Sequence, residues 1–266
     1  MNGKTVLVTG ATDGLGRGVA LALAAEGATV LLHGRDPERL AAVAAEVGPD
    51  RVRTYTADFS SLAQVARMAT EIAEREPRLD VLVNNAGIGT TVPGGEARAL
   101  SEDGIELRFA VNYLAGYLLT ERLRDLLVAS APARIVNVSS AGQIPLDFDD
   151  LMLERGYSGV RAYCQSKLAQ ILYTFDLASE LRVSGVTATC LHPATYMPTK
   201  IVTGAPASTL ESGVAATMRL VAEPALDGVT GKYFNGQRES APDPQASDPV
   251  ARRRLREASE QLVSGF

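Results

Sequence analysis

TVLVTGATDGLG, residues 5–16, is the stretch whose reading decides the fold. Thr5 to Thr9 is a short apolar run that breaks at Gly10, continues through Ala11, Thr12 and Asp13 to Gly14 and Gly16, and passes into a helical pattern from Leu15 to Glu26. Strand, glycine turn and helix in that order open a βαβ unit. Glycines allow the tight turn and the close approach of backbone to a pyrophosphate, which then sits on the helix N-terminus. The spacing here is G-x-x-x-G-x-G, not the common G-x-G-x-x-G. The physical task is the same, and Gly10, Gly14 and Gly16 are expected to cradle a dinucleotide.

Outward from this unit the alternation continues. Strands are expected at Ala28 to His33, Arg51 to Thr56, Leu79 to Asn84, Arg134 to Ser139, Val186 to His192 and Lys232 to Asn235. Helices are expected from Asp36 to Val47, Leu62 to Glu74, Ser101 to Ala129, Ala162 to Arg182 and Glu211 to Ala222, with Pro37 fitting a first helical position. Apolar, β-branched strands separated by helices imply an α/β fold, with a doubly wound parallel sheet covered on both faces. No linker, repeat or low-complexity tract divides the chain, so residues 1–266 are read as one Rossmann-type domain. Two long segments interrupt the pattern, 143–160 with its acidic cluster Asp147, Asp149, Asp150 and Glu154, and 194–209, rich in Pro, Thr and Gly. Both follow the carboxyl ends of strands, where open α/β sheets bind ligands, so both are expected to enclose substrate. The tail from Ala241 carries a charged helix, Arg252 to Leu262, expected to be peripheral.

The net charge of -5 gives no support for nucleic-acid binding. Two cysteines, Cys164 and Cys190, make no disulfide framework, and two histidines, His33 and His192, suggest no metal site. These four are expected to be inert thiols and satisfied structural histidines. No run approaches the roughly 18 apolar residues of a membrane span. The expectation is a cytoplasmic protein without a membrane anchor.

The chemistry centres on AYCQSKLAQ, residues 162–170. Tyr163 and Lys167 stand one helical turn apart on one face. A tyrosine has an ordinary pKa of about 10, and a neighbouring cation lowers it toward the range useful in general acid–base catalysis. At the end of the second strand, an acidic residue would accept hydrogen bonds from an adenosine ribose and repel a 2′-phosphate. Here Gly34 and Arg35 leave room and supply a guanidinium, which favours NADP(H), although Asp13 adds an opposing charge. Asp58, past the third strand, suits an adenine amino group.

Taken together, TGATDGLG (9–16), ADF (57–59), NNAG (84–87), VN (111–112), IVNVSS (135–140) and YCQSK (163–167) resemble the short-chain dehydrogenase/reductase family over essentially the whole chain. HGRD (33–36), AYCQSKLAQIL (162–172) and GVTGKYF (228–234) are most similar to the retinol dehydrogenase group and related bacterial carbonyl reductases. The resemblance implies that Tyr163 is the catalytic acid, that Lys167 tunes it and holds the nicotinamide ribose, that Ser140 rather than Ser139 binds the substrate oxygen, and that Asn112 anchors a water feeding Lys167. It places the cofactor against Gly10, Thr12, Gly14, Leu15, Gly16, Arg35, Asp58, Phe59, Asn85, Ala86, Gly87, Tyr163, Lys167, Pro193 and either Thr195 or Thr199. Ala194 stands where the family usually has glycine, and Thr199 falls one residue later than the family's pattern. The 143–160 insertion matches the retinol-dehydrogenase-like group, whose members often carry the anchor this sequence lacks.

The expected activity is hydride transfer between NADP(H) and a lipophilic ketone or aldehyde, the apolar side chains Ile144, Leu146, Phe148, Leu151, Met152, Ile201 and Val202 forming the substrate surface. Two other readings are open: a nucleotide-sugar epimerase or dehydratase, which usually needs a larger C-terminal region, and a non-catalytic cofactor sensor, which would tend to lose Ser140, Tyr163 and Lys167. The apolar stripe Leu168, Ile171, Leu172 and Phe175 exceeds the needs of one sheet face. With the family's habit of pairing this helix, it leads to an expected homodimer or homotetramer.

Overall fold

The computed structural model describes residues 1–90, 97–199, 201–202 and 205–266. Lys200, Thr203 and Gly204, part of the expected 194–209 substrate segment, therefore lie outside the described residues. Among the described residues, eight strands form one sheet in the order β3-β2-β1-β4-β5-β6-β7-β8. They are β1 (Thr5–Val8), β2 (Thr29–Gly34), β3 (Val52–Thr56), β4 (Val81–Asn84), β5 (Ala133–Val138), β6 (Val186–His192), β7 (Lys232–Asn235) and β8 (Arg238–Glu239). The first seven are parallel; β8 returns antiparallel to β7. Strand order reverses between β1 and β4, the switch point at which such sheets open a crevice.

Alternate residues of each strand feed opposite faces. Val6 and Val8 pack with α1 (Gly14–Ala25), α2 (Pro37–Val47) and α7 (Leu210–Ala222), whereas Leu7 packs toward α3 (Leu62–Arg75), α4 (Ala115–Arg122) and α6 (Gly159–Glu180). Asp36 caps α2 by accepting from Glu38 and Arg39 N–H, with Pro37 in the first turn. Ser158 caps α6, which therefore begins three residues before the expected Ala162.

The expected helix from Ser101 to Ala129 is not continuous. Ser101 to Glu106 is a turn, in which Ser101 Oγ accepts from Asp103 and Ile105 N–H and Gly104 has φ +77°. Phe109–Leu114 is a wider π-helical turn leading into α4, and α5 (Arg124–Ala129) follows a break at Leu123. Such turns recur at functional sites because they redirect side chains, and this one carries Asn112.

The tail is not peripheral. α8 (Pro249–Val263) starts at a capping Asp248 and buries Ala251 and Leu255 in the core on the α6 side. Arg256 pairs with Asp176 and Glu180 of α6, and Tyr113 Oη shares a hydrogen bond with Ser259 Oγ. Leu168, Ile171 and Leu172 are fully buried, and Phe175 packs on the same cluster. The apolar surplus on α6 is thus covered within the chain.

The 143–160 segment is bound to the same tail. Gln245 accepts from Leu146 N–H at 2.7 Å and donates to Leu146 C=O at 3.1 Å, while Gln143 accepts from Asp243 N–H at 2.7 Å. Asp147 pairs with Arg161, Asp149 with Arg254, and Asp150 with Arg155. Leu146 is buried in the core, and Phe148, Leu151 and Met152 pack against it. These apolar side chains face inward rather than toward substrate.

Candidate active site

Every parallel strand from β1 to β6 ends at one cleft of about 1230 Å³. That exceeds the few hundred to about 1,000 Å³ of a typical small-molecule site and suits a dinucleotide with a second molecule beside it. Gly10, Thr12, Gly14, Leu15 and Gly16 follow β1; Arg35 follows β2; Asp58 and Phe59 follow β3; Asn85, Ala86 and Gly87 follow β4; Ser140 follows β5; Pro193, Thr195 and Thr199 follow β6. With Tyr163 and Lys167 of α6, all of these line the cleft. Asn112 alone of the expected residues lies behind it, fully buried.

The glycine loop is built for close approach. A Cβ on Gly16 would lie 2.3 Å from Gly10 O, and one on Gly10, with φ +65°, would lie 2.9 Å from Ala86 Cα. Asn85 Nδ2 donates to Thr9 O at 2.8 Å, fixing the β4 loop against the β1 loop. Gly10 N–H donates to His33 Nδ1, and His33 Nε2 lies 3.1 Å from Ala57 O, so the ring joins the ends of β1, β2 and β3. Burial pushes His33 down to about 4, and its ring stacks on Phe59 at 4.2 Å. Neutral at physiological pH, His33 holds the adenosine end of the cleft.

At that end, a Cβ on Gly34 would come within 2.6 Å of Thr12 Cγ2. A side chain at this position would require the Thr12 methyl to move aside. Arg35 is 74% exposed and only loosely paired with Asp58, at 4.0 Å. Asp13 accepts from Gly14 N–H and pairs with Arg39 at 2.9 Å, so the opposing charge noted in the sequence is matched by a second guanidinium on the cleft wall. Arg39 carries no motif that marks it; only α2's placement beside the glycine loop brings it here.

At the other end, Tyr163 is hydrogen-bonded to Ser140. Ser140 Oγ accepts from Gly142 N–H at 3.0 Å, which leaves its hydroxyl hydrogen available to donate. Ser139 Oγ donates to Lys167 C=O and is committed there. Lys167 Nζ donates to Val138 O at 2.9 Å and Gln170 Oε1 at 3.0 Å, and lies 5.9 Å from the Tyr163 ring centroid. Gln170 has no role in the sequence reading. Its spacing three residues beyond Lys167 on the same helix face was the available signal.

The electrostatics differ from the expectation that Lys167 lowers the Tyr163 pKa. Burial pushes the Tyr163 phenol up, with the Ser140 hydrogen bond acting in the opposite direction. Burial also pushes Lys167 down, to about 7. With both groups desolvated and no carboxylate paired to Nζ among the described residues, the low dielectric favours the neutral form of each. The Asn112 side chain is fully engaged by its neighbours. Its Oδ1 accepts from Ile88 N–H at 2.7 Å, and its Nδ2 donates to Ile88 O and Ser166 Oγ. The side chain fastens the β4 loop to α6.

Thr195 Oγ1 lies 3.1 Å from His192 Nε2, and Thr199 Cγ2 packs 3.0 Å from where a Gly14 Cβ would be. The apolar side chains that line the cleft include Ile88, Leu100, Leu107, Val111 and Val160 with Met197, Ile201 and Val202. Of the apolar side chains expected there, Ile201 and Val202 line the cleft, whereas Ile144, Leu146, Phe148, Leu151 and Met152 do not. Ile88, Leu100, Leu107 and Val111 line the cleft instead.

A family model described as short chain dehydrogenase matches residues 4–208. The chain belongs to the short-chain dehydrogenase family. Members are oxidoreductases acting between CH–OH and C=O groups with a nicotinamide cofactor, in keeping with the Rossmann-type sheet and its cleft. The chain is 39% identical to retinol dehydrogenase 13 of Mus musculus, over 98% of its length and 84% of the relative's. It is 38% identical to a candidate daunorubicin C-13 ketoreductase of Streptomyces sp. (strain C5), over 98% of its length and 93% of the relative's. Among solved structures, an uncharacterized protein from Mycobacterium paratuberculosis is similar with a TM-score of 0.80 and 29% identity, covering 99% of this chain and 94% of that one. The 3-ketoacyl-(acyl-carrier-protein) reductase from Brucella melitensis, solved with NADH, is similar with a TM-score of 0.71 and 26% identity, covering 88% of this chain and 96% of that one.

Proposed function

We propose that the protein is an NADPH-dependent carbonyl reductase that reversibly reduces a lipophilic ketone or aldehyde. The observation that carries this reading is the polarity of the single cleft, with Arg35 and Arg39 at one end and the Ser140–Tyr163 hydroxyl pair against an apolar wall at the other. The end of the second strand carries Gly34 and Arg35 in place of an acidic side chain, which favours NADPH over NADH. Of the relatives, the names retinol dehydrogenase and C-13 ketoreductase point to lipophilic substrates.

The dinucleotide, when bound, supplies the hydride. Gly10, Gly14 and Gly16 would receive its pyrophosphate at the α1 N-terminus, Asp58 and Phe59 its adenine, Arg35 its 2′-phosphate, and Lys167, Pro193 and Thr199 its nicotinamide half. Thr199 is favoured over Thr195 because the Thr195 hydroxyl is engaged by His192. Ser140 donates its hydroxyl hydrogen to the carbonyl oxygen while one of its two lone pairs accepts from Gly142 N–H. Tyr163, kept protonated by burial, gives its proton to the same oxygen as negative charge develops there. Lys167 then answers the phenolate by holding its own proton, since an adjacent anion restores the ammonium form. Asn112 positions Ile88 behind this group.

The test is oxidation of NADPH against a panel of neutral ketones and aldehydes, with Tyr163→Phe as control. Tyr163→Phe is expected to abolish turnover and leave NADPH binding within about twofold. Tight NADPH binding without turnover of any carbonyl by the unmodified protein would instead favour the sensor reading.

A further inference from the structure

Arg108 is the largest fully buried side chain among the described residues, at 0% exposure, and its guanidinium does not reach the cleft that its neighbours Leu107 and Val111 line. A buried cation needs partners for each donor direction, because an unpaired one costs several kcal/mol. Here Nε donates to Gly89 O at 3.0 Å, Nη2 to Thr90 O at 2.6 Å and Nη1 to Tyr157 Oη at 2.5 Å. Glu106, also buried, lies 3.6 Å away and accepts from Tyr157 Oη at 3.0 Å and from Phe109 N–H at 2.8 Å. Thr90 O is also drawn against α6, since a Cβ on Gly159 would lie 2.1 Å from it.

We infer that Arg108, Glu106 and Tyr157 form a buried lock that positions the Ile88–Thr90 wall of the substrate end, and so set where a carbonyl substrate lies relative to Ser140 and Tyr163. The inference deepens the carbonyl-reductase reading and rests on it for its kinetic consequences. Ile88 and Thr90 both line the cleft, and their strand of backbone leads directly from the Gly87 turn beside Lys167. Two carbonyls of this wall are held by one rigid guanidinium fork, which a lysine cannot reproduce. Tyr157 adds the 143–160 segment to the same fork, so that segment acts on substrate through Arg108 rather than by contact. Among the described residues, the hydrogen bonds and ion pair of the lock include none at the Arg35 end.

Tyr157→Phe removes the hydroxyl that joins Arg108 to Glu106 while keeping the ring. The charge-neutral pair Arg108→Met with Glu106→Gln removes the lock without leaving a buried charge alone. Both variants are expected to lower kcat and kcat/KM for the carbonyl about tenfold, with the NADPH Kd within about twofold, because displacing one wall misplaces the substrate relative to Ser140 and Tyr163 but not the cofactor. Amide exchange in the cofactor-free protein is expected to speed up at Ile88–Thr90 and stay unchanged at residues 10–16. Faster exchange throughout, or kcat/KM falling while the NADPH Kd rises, would make the cluster a general stabiliser and overturn the inference; so would unchanged exchange at Ile88–Thr90. Failure of the unmodified protein to reduce any carbonyl would overturn the reductase reading, while the exchange comparison would still decide the lock.

Discussion

Replacing Lys167 with Met should make the cofactor-free protein more stable near pH 8 and less stable near pH 10.5. Lys167 titrates near its ordinary 10.5 when unfolded and at about 7 when folded. Between those values the folded chain binds fewer protons than the unfolded chain, so wild-type stability rises with pH across the window. At pH 8 the linkage amounts to a penalty of about 3 kcal/mol, falling below about 0.5 kcal/mol at pH 10.5. Met removes that penalty but leaves Val138 O and Gln170 Oε1 without their donor, a pH-independent loss of roughly 2 kcal/mol. The variant should therefore lead by about 1 kcal/mol at pH 8 and trail by about 1.5 kcal/mol at pH 10.5. For a chain of this size each kcal/mol moves Tm by about 2–4 °C, so thermal denaturation at several pH values resolves the crossing. The other titrating groups are common to both proteins and cancel in the difference. A Tm difference that stays flat from pH 8 to 10.5 would show that folding leaves the lysine's proton affinity unchanged, and would refute the electrostatic account of the site.

Arg35→Ala should weaken NADPH about tenfold in a fluorescence titration and NADH less than twofold, since its loosely paired guanidinium is free to meet a 2′-phosphate. Equal losses for the two cofactors would place the phosphate elsewhere, with Arg39 the next candidate. Gln170→Leu should move the alkaline limb of the kcat/KM profile to lower pH, because it removes an acceptor that favours the Lys167 ammonium, and Gln170→Glu should move it upward. Limbs that coincide in all three proteins would remove Gln170 from any part in tuning the lysine.

How much of this was legible in the sequence depended on the range of the determining contacts. The strand–glycine–helix opening and the β-α alternation are local, and the observed strands lie within about two residues of those expected. The cleft residues were legible because each follows the carboxyl end of a strand, and a parallel sheet gathers those ends on one side. The errors arose where a partner lies far along the chain. Leu146, Phe148, Leu151 and Met152 alternate with acids in a way that suits either a substrate surface or a buried strap, and only Gln245 and Arg254, some hundred residues on, decide for the strap. The helix expected from Ser101 failed because apolar content alone does not reveal a π turn, and the two-residue β8 is too short for any periodicity to register. Arg108 was invisible for the same reason, as a single arginine in an apolar helix reads as solvated until Gly89, Thr90 and Tyr157 close around it.

The pairing of Tyr163 with Lys167 in the sequence suggested a tyrosine made acidic by its neighbour. In the folded site, burial acts first and acts on both groups, raising the phenol and lowering the ammonium, so the resting pair favours the uncharged forms. That arrangement suits carbonyl reduction, in which the phenol must begin protonated and Ser140, already accepting from Gly142, must donate. Alcohol oxidation asks the opposite of the same residues, since Tyr163 must begin as a phenolate in a site that disfavours the charge. Its compensation must come from Lys167 regaining a proton, which Gln170 and Val138 support with their acceptor oxygens. Oxidation should therefore lag at neutral pH and gain on reduction as pH rises, a dependence set by the burial of two side chains one helical turn apart.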